Sequence, residues 1–222
     1  MLRINGNIIE GVILDIDGLM FDTEKVYTLT WPIAAKEFGY DVTEEQIIGA
    51  VGLNAEAGRK YFESLFGEDF PFYKIRIRRL EIAHDYIEKN GLTPKPGLYE
   101  LLDFLKREKI KTATATSSER NKAQWYLSLS SLSDYFDAVI CGEDAVKSKP
   151  DPQIFNIAAM RINANPKNCI FLEDSLAGAA AAIATGGYAI MIPDYKQPTP
   201  ELTKKLFKVL PTLSEVMGIF DR

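Results

Sequence analysis

The chain has 222 residues, of which 46% are hydrophobic and 26% are charged, and its formal net charge is −5 at pH 7. This length and composition suit one globular domain or one domain with an insertion, and the acidic balance excludes a general nucleic-acid binder. No apolar stretch reaches the roughly 18 residues that span a bilayer, and residues 1–5 lack the apolar core of a signal peptide, so we expect a cytoplasmic protein without membrane contact.

Six short apolar segments rich in branched residues predict β-strands. They cover residues 8–14, 110–116, 138–141, 169–172, 188–192 and 206–210. Segments with helical spacing separate or follow them, at 98–108, 118–129, 152–161, 174–185 and 213–219. Strands that alternate with helices in this way are typical of a parallel sheet covered on both faces. We therefore predict an α/β fold with a doubly wound parallel sheet.

One long segment, 23–91, interrupts this alternation. Its apolar residues have helical spacing over 24–38, 44–48, 55–66 and 72–88. The stretch 75–78 also alternates with period two, which leaves a strand open there, although its apolar residues share a helical face with their neighbours. A linker rich in Gly and Pro follows at 90–97. We predict a helical-bundle cap domain over 23–91, inserted into a catalytic core formed by residues 1–22 and 92–222.

Two carboxylates, Asp15 and Asp17, end the first long apolar run and are followed by Gly18. Asp17 with Gly18 alone fits an ordinary turn, but Asp15 still lies within the apolar run. A buried, ionised carboxylate requires an ion pair, hydrogen bonds or a metal ion. Ligands of doubly wound sheets bind outside the carboxyl ends of the strands. The pair therefore predicts a metal site or a catalytic site.

Polar side chains also follow the second and third core strands. Thr116, Ser117 and Ser118 are followed by a predicted helix and fit a helix cap, yet hydroxyls and free amides at a helix N-terminus also bind phosphate. Lys149 lies in the loop after the third strand and, taken alone, fits a solvated surface lysine. Because the carboxyl ends of parallel strands share one edge of a sheet, these side chains should approach Asp15.

The fourth core strand ends in Glu173 and Asp174. With the two earlier carboxylates, they supply the oxygen ligands that Mg²⁺ prefers. The single histidine, His84, excludes a zinc site with several histidine ligands, and we expect it at the surface. Cys141 and Cys169 lie in apolar segments and are expected to be buried and unpaired. The sequence therefore predicts a magnesium and phosphate site at one edge of the sheet.

Four motifs make the chain similar to the haloacid dehalogenase superfamily, in the phosphatase and phosphomutase branch that carries an inserted helical cap. They are Asp-Ile-Asp-Gly-Leu-Met-Phe-Asp-Thr-Glu at 15–24, Thr-Ser-Ser at 116–118, Lys-Pro-Asp-Pro-Gln-Ile-Phe at 149–155, and Phe-Leu-Glu-Asp-Ser-Leu-Ala-Gly at 171–178. The resemblance covers nearly the whole chain. It implies that Asp15 is the nucleophile, that Asp17 is the general acid and base, and that Thr116 and Lys149 bind the phosphoryl group.

The same resemblance implies a Mg²⁺ cofactor and assigns its ligands and the substrate contacts. The four metal-site residues are carboxylates: Asp15, Asp17, Glu173 and Asp174. The expected substrate-binding residues lie in the second motif and in the cap: Ser117, Ser118, Thr23, Tyr27 and Asn54. Leu53 is a further candidate in the cap, although core packing would also explain it.

The resemblance implies a phosphatase that acts on a small phosphorylated metabolite, such as a sugar phosphate. Asp17 favours phosphate esters over organohalides because dehalogenases need no acid at that position. The alternative is a β-phosphoglucomutase. Tyr27 stands where such mutases carry a histidine, and Leu53 stands where they carry a phosphate-binding arginine, which favours hydrolysis unless the arginines at 76, 78 and 79 compensate. A non-enzymatic receiver domain, the third alternative, would need no helical insertion. Nothing in the charge pattern indicates a protein partner.

Overall fold

A computed structural model describes residues 2–51, 53 and 55–221. The chain divides into two compact units, Met1–Phe21 with Thr93–Arg222 and Asp22–Leu92, which we call the core unit and the helical unit. None of the helices in the described residues has the length and apolar character needed to traverse a lipid bilayer. That the helical unit serves as a cap domain stays a prediction.

The helices and strands follow in chain order, and their bounds are these: β1 (Arg3–Ile4), β2 (Asn7–Ile8), β3 (Gly11–Leu14), α1 (Thr23–Glu37), α2 (Glu44–Ala50), α3 (Ala55–Phe66), α4 (Phe72–Asn90), α5 (Leu98–Arg107), β4 (Lys111–Ala115), α6 (Arg120–Leu129), β5 (Ala138–Ile140), α7 (Gln153–Arg161), β6 (Cys169–Glu173), α8 (Leu176–Ala184), β7 (Tyr188–Met191), α9 (Pro200–Thr203) and β8 (Lys208–Val209).

The core unit is built on a six-stranded parallel sheet with the strand order β5-β4-β3-β6-β7-β8. Helices flank the sheet, so the predicted α/β fold with a parallel sheet is confirmed. Strand β3 is central and buried throughout, as its continuous apolar run predicted. Leu14 at its end is paired with Thr114 of β4 and Leu172 of β6. Three strands therefore end at nearly the same level, which brings the residues that follow them together.

Small side chains let α8 lie close to the sheet, because its inward face presents Ala179, Ala181 and Ala182, all fully buried. On the same core, Phe155 of α7 meets Phe171 of β6 edge to face, with ring centroids 5.1 Å apart. These contacts set where the loops before α7 and α8 leave the sheet, and both loops contribute to the site.

The helical unit has its own core, which is mainly aromatic. Trp31 of α1 stacks on Phe62 of α3 with ring centroids 4.7 Å apart, and Phe62 stacks on Phe70 at 5.4 Å. Ile75 of α4 is fully buried in this cluster. Residues 75–78 are helical, so the helical interpretation of that stretch is confirmed and the strand alternative is wrong. A separate aromatic core supports the view that this unit is stable in its own right.

Other expectations for particular residues have mixed outcomes. Both cysteines are buried and unpaired, and His84 is exposed, as predicted. The segment 213–219 is helical, as predicted, and it forms a 3-10 helix. The structure also contains a short antiparallel pair, β1 and β2, which the sequence analysis did not predict.

Candidate active site

The predicted site residues of the core lie at the carboxyl ends of neighbouring strands. Asp15 follows β3, and its amide donates to Leu172 O at 3.1 Å. Thr116 follows β4, and its amide donates to Ile140 O at 3.0 Å. Glu173 is the last residue of β6. These backbone bonds continue the ladders of the sheet by one residue, so the strand ends themselves hold the site in place.

Lys149 joins the ends of three strands. Its Nζ donates to Asp15 Oδ1 at 2.5 Å, to Glu173 Oε1 at 2.6 Å and to Ala115 O at 2.9 Å. The side chains of Lys149 and Asp15 are only 7% and 9% exposed, and that of Glu173 is 1% exposed. The alternative interpretation from the sequence, that Lys149 is a solvated surface lysine, is therefore wrong. A charged amine buried in this way needs its anionic partners.

The ionisation of this group is set by burial and by close charges. Burial raises the pKa of Asp15 to about 7, and repulsion from Glu173 and Asp17 adds to the increase, while Lys149 opposes it. Burial alone would lower the pKa of Lys149. The attraction and hydrogen bonds of Asp15 and Glu173 together outweigh burial, so the pKa of Lys149 is raised above its ordinary value. The lysine therefore stays positively charged.

Glu173 has partners on both carboxylate oxygens. Oε1 accepts the bond from Lys149, while Oε2 accepts from the amides of Asp174 and Ser175, at 3.0 and 2.9 Å, and from the hydroxyl of Ser175 at 2.9 Å. A Cβ on Gly178 would lie 1.8 Å from Oε1. Only glycine at 178 therefore leaves room for the carboxylate that holds Lys149.

Asp174 adds another buried carboxylate to the site. Burial raises its pKa well above the usual value, and repulsion from Glu173 and then Asp15 raises it further. Its Oδ2 would lie 2.3 Å from a Cβ on Gly18, so the carboxylate packs against the backbone of the turn after Asp17. Three carboxylates, Asp15, Glu173 and Asp174, thus share one buried lysine and leave an excess of negative charge.

A bound cation would balance this excess, and the donors present suit Mg²⁺. Within 2–51, 53 and 55–221, no three Asp, Glu, His or Cys side chains form a set that could hold a metal ion by themselves. Magnesium commonly binds through one or two carboxylates and completes its shell with water and substrate phosphate. Asp15 and Asp174, whose pKa values are raised first by burial and then by neighbouring carboxylates, fit that pattern. Lys149 contacts Asp15 and Glu173, while Ser118 and Lys122 contact Asp17. The role of these three carboxylates and of Asp174 as metal ligands stays a prediction.

Asp17 is contacted by one residue of the loop after β4 and by one residue of α6. Its Oδ2 accepts from Ser118 Oγ at 2.6 Å, and its Oδ1 lies 2.8 Å from Lys122 Nζ. Thr116 is buried, and its hydroxyl accepts from the Ser118 amide at 3.1 Å, while Ser117 is exposed. Lys122 was not predicted from the sequence, because a lysine in the first turn of a helix is too common on exposed surfaces to identify a site.

The predicted substrate-binding residues of the helical unit differ in their exposure. Thr23 begins α1 and is fully buried. Tyr27 is nearly buried, and the Arg79 guanidinium lies 4.4 Å from its ring centroid. Leu53 is 42% exposed, which excludes the core-packing explanation. Asn54 lies outside the described residues.

Two arginines of the helical unit are engaged by carboxylates. Arg78 bonds Glu37 and Glu81, and Arg59 bonds Glu56 and Glu63. Arg78 is thus neutralised in place, whereas Arg79 is held against the rings of Tyr27 and Trp31.

Comparisons with known proteins give a consistent result. A family model described as a haloacid dehalogenase-like hydrolase matches residues 9–186. The chain is 31% identical over 181 residues to a phosphorylated carbohydrates phosphatase of Thermotoga maritima, covering 80% of this chain and 82% of the relative. It is 30% identical over 189 residues to a β-phosphoglucomutase of Bacillus subtilis, with 82% of each covered. A solved β-phosphoglucomutase from Clostridium difficile shares the fold, with a TM-score of 0.74 and 24% identity over 94% of this chain and 93% of that one.

Proposed function

Because this chain belongs to the haloacid dehalogenase-like hydrolase family, we propose that it is a magnesium-dependent phosphatase that hydrolyses a sugar phosphate through an aspartyl-phosphate intermediate. The family and the enzyme class predicted from the sequence, a phosphoric monoester hydrolase, are confirmed at that level by the family model and the phosphatase relatives. The substrate, the cofactor and the residue roles are the proposal. The cytoplasmic location stays a prediction.

The observation that carries the proposal is the buried lysine between two carboxylates. Lys149 fixes Asp15 Oδ1 at 2.5 Å and is itself held by Glu173. Phosphoryl transfer needs a positioned nucleophile and positive charge near the phosphoryl oxygens. Lys149 supplies both, because it orients Asp15 and remains charged. A purely structural ion pair would have no reason to lie at the edge where ligands of such sheets bind.

Asp15 is the proposed nucleophile. One of its carboxylate oxygens forms a bond to phosphorus while the bond from phosphorus to the ester oxygen breaks, which gives an acyl phosphate and the alcohol. In the second half, a water oxygen bonds to phosphorus and the bond to Asp15 breaks, which restores the carboxylate and releases phosphate.

Asp17 is the proposed general acid and base. It donates a proton to the departing ester oxygen in the first half and accepts one from the attacking water in the second. Thr116, Ser117, Ser118 and Lys149 are the proposed phosphoryl-binding groups.

The proposed Mg²⁺ site uses Asp15 and Asp174 as its carboxylate ligands. A bound magnesium ion would neutralise charge on the phosphoryl oxygens and so reduce their repulsion of the attacking carboxylate. The excess of negative charge among Asp15, Glu173 and Asp174 is the feature of this chain that supports it.

The helical unit is the proposed cap domain of the enzyme, and Thr23, Tyr27 and Asn54 are its proposed substrate-binding residues. The name of one relative, a phosphorylated carbohydrates phosphatase, supports a sugar phosphate as the substrate class. Arg79 is held over the Tyr27 ring at 4.4 Å. Aromatic and guanidinium groups in this arrangement suit a ligand that has both an apolar face and polar hydroxyls.

A sugar phosphomutase is the second candidate, because β-phosphoglucomutase is among the relatives. A mutase must bind a second phosphate. Arg78 is neutralised by Glu37 and Glu81 in the structure, and Leu53 supplies no charge. These contacts favour hydrolysis.

The experiment that tests the proposal measures phosphate release from a panel of sugar phosphates with and without MgCl2. Asp15→Asn should abolish release, whereas Asp134→Asn, an exposed aspartate on the same unit, should retain it. Equal activity after removal of all divalent metal ions would contradict the cofactor. Incubation of β-glucose 1-phosphate with a trace of the bisphosphate separates the candidates, since a mutase yields glucose 6-phosphate without free phosphate.

A further inference from the structure

Asp17, Ser118 and Lys122 contact one another through three polar contacts. Lys122 Nζ lies 2.8 Å from Asp17 Oδ1 and donates to Ser118 Oγ at 3.0 Å, and Ser118 Oγ donates to Asp17 Oδ2 at 2.6 Å. Both carboxylate oxygens of Asp17 are therefore contacted from the short segment 118–122. Lys122 belongs to none of the four motifs that identified the family.

Both groups lie at the start of the same helix. Ser118 lies just before α6, and Lys122 lies in its first turn. The Lys122 ammonium also lies 5.2 Å from the ring centroid of Tyr126, a fully buried residue of the same helix. The Tyr126 ring and the Asp17 carboxylate thus both contact the Lys122 ammonium and restrict its position.

Stability alone does not account for this arrangement. The side chains of Lys122 and Asp17 are 27% and 17% exposed, and ion pairs that reach solvent contribute little to folding. The effect of Lys122 and Ser118 on Asp17 is geometric. Because both carboxylate oxygens of Asp17 are contacted, the carboxylate cannot rotate freely about the Cβ–Cγ bond. A carboxylate oxygen has two lone pairs, so either oxygen can keep its partner and still carry or release a proton.

We propose that Lys122 is a positioning residue that, together with Ser118, fixes the carboxylate of Asp17 in the orientation needed to protonate the leaving alcohol. This inference rests on the proposed function, in which Asp17 is the general acid and base. It adds a residue on α6 to a site that the family motifs describe without it. Lys122 acts through Asp17 and needs no contact with the substrate.

Leaving-group dependence provides the test. The value of kcat/KM reports steps up to release of the alcohol, so it isolates the proton transfer to the ester oxygen. Lys122→Ala should lower kcat/KM roughly 10- to 100-fold for an alkyl phosphate such as glucose 6-phosphate, whose alkoxide cannot leave without a proton. For p-nitrophenyl phosphate, whose phenolate leaves unprotonated, the loss should be below about threefold. Lys122→Arg should restore most of the alkyl activity.

Lys106→Ala is the matched control, because Lys106 is also a helix lysine of the core unit whose ammonium lies over a tyrosine ring, that of Tyr135 at 4.4 Å. Lys106→Ala should leave kcat/KM unchanged for both substrates. Equal losses on both substrates, or none, for Lys122→Ala would overturn the proposal. If the wild type, too, releases no phosphate from either substrate, the proposed function fails instead.

A crystal structure of Lys122→Ala tests the positioning without any activity. The proposal expects the Asp17 carboxylate to rotate away from Ser118 or to adopt two conformers. An Asp17 side chain that keeps its place and its 2.6 Å contact with Ser118 would overturn the role of Lys122 whatever the kinetics.

Discussion

Two lysines contact Asp15 and Asp17, one each, and their surroundings differ sharply. Lys149, 7% exposed, is enclosed with Asp15 and Glu173. Lys122, 27% exposed, meets Asp17 from the first turn of α6. The buried pair must stay intact for both folding and chemistry, since either partner alone would be an uncompensated charge. The more exposed pair can change at little cost to stability, so its effect should appear in catalysis alone.

The largest expected effect follows removal of the buried lysine. Lys149→Met leaves two buried carboxylates without their cation and should reduce the free energy of unfolding by about 3 kcal/mol and lower activity by at least about a thousandfold. Lys122→Met should change the free energy of unfolding by less than about 1 kcal/mol. Urea denaturation of both variants checks this, and equal stability losses would remove the distinction between the two lysines.

The next largest effect is expected for replacement of Asp17, the carboxylate of the more exposed ion pair. Asp17→Asn keeps the size of the side chain but cannot donate or accept the proton, so kcat for a sugar phosphate should fall by roughly 10² to 10⁴-fold. Its unfolding midpoint should stay near that of the wild type. Steady-state phosphate release measures the first quantity, and full activity of this variant would exclude Asp17 as the acid.

A glycine substitution tests the space around the buried pair. Gly178→Ala places a Cβ 1.8 Å from Glu173 Oε1 and must displace the carboxylate that holds Lys149, so we expect a loss of about 1 to 3 kcal/mol in stability and reduced activity. Gly218→Ala, with nothing within 4 Å of its Cβ, should be nearly neutral. Thermal unfolding and phosphate release compare the two variants. Indistinguishable behaviour would mean that Glu173 is not confined as described.

The last expected effect is on stability alone: the pH dependence of unfolding without metal. The pKa of Asp15 is raised to about 7, and that of Asp174 is raised as well, so the folded protein keeps protons that the unfolded chain has already released. The free energy of unfolding should therefore decrease as pH rises from 5 towards 7, with a slope of up to about 1.4 kcal/mol per pH unit for each proton. Asp15→Asn should flatten the slope, and added MgCl2 should oppose the decrease. A stability that rises with pH over this range would contradict the charge excess.

Both aspartates and the buried Lys149 and Glu173 were predictable from the sequence, and Lys122 was not. Asp15 and Glu173 end apolar strands, where a carboxylate is anomalous enough to be noticed. Lys149 looked like a surface lysine until the family motif marked it, because only the fold brings it to Asp15. Lys122 gave no such signal, since a lysine one turn after a helix start is ordinary on a solvated face.

For the fold, too, buried elements were predicted from the sequence and more exposed ones were missed. Strands β3, β4 and β6 are apolar runs whose type is fixed by burial on both faces, and they were predicted within one or two residues, except that the run at 8–14 also took in Ile8 and the connection before β3. The hairpin of β1 and β2 was missed although Asn5 and Gly6 form a turn with positive φ at both residues, a pattern typical of tight hairpins. The pairs of Arg78 with Glu37 and Glu81 depend partly on packing between helices, which periodicity does not reveal.

The most direct test of the central claim, that Asp15 bonds to phosphorus, is chemical trapping during turnover. Sodium borohydride reduces an acyl phosphate to an alcohol, so protein quenched while hydrolysing a sugar phosphate and then digested should contain homoserine at position 15, detected by peptide mass spectrometry. Asp15 that remains unmodified under conditions of rapid phosphate release, or a modification at another aspartate, would contradict the proposed mechanism.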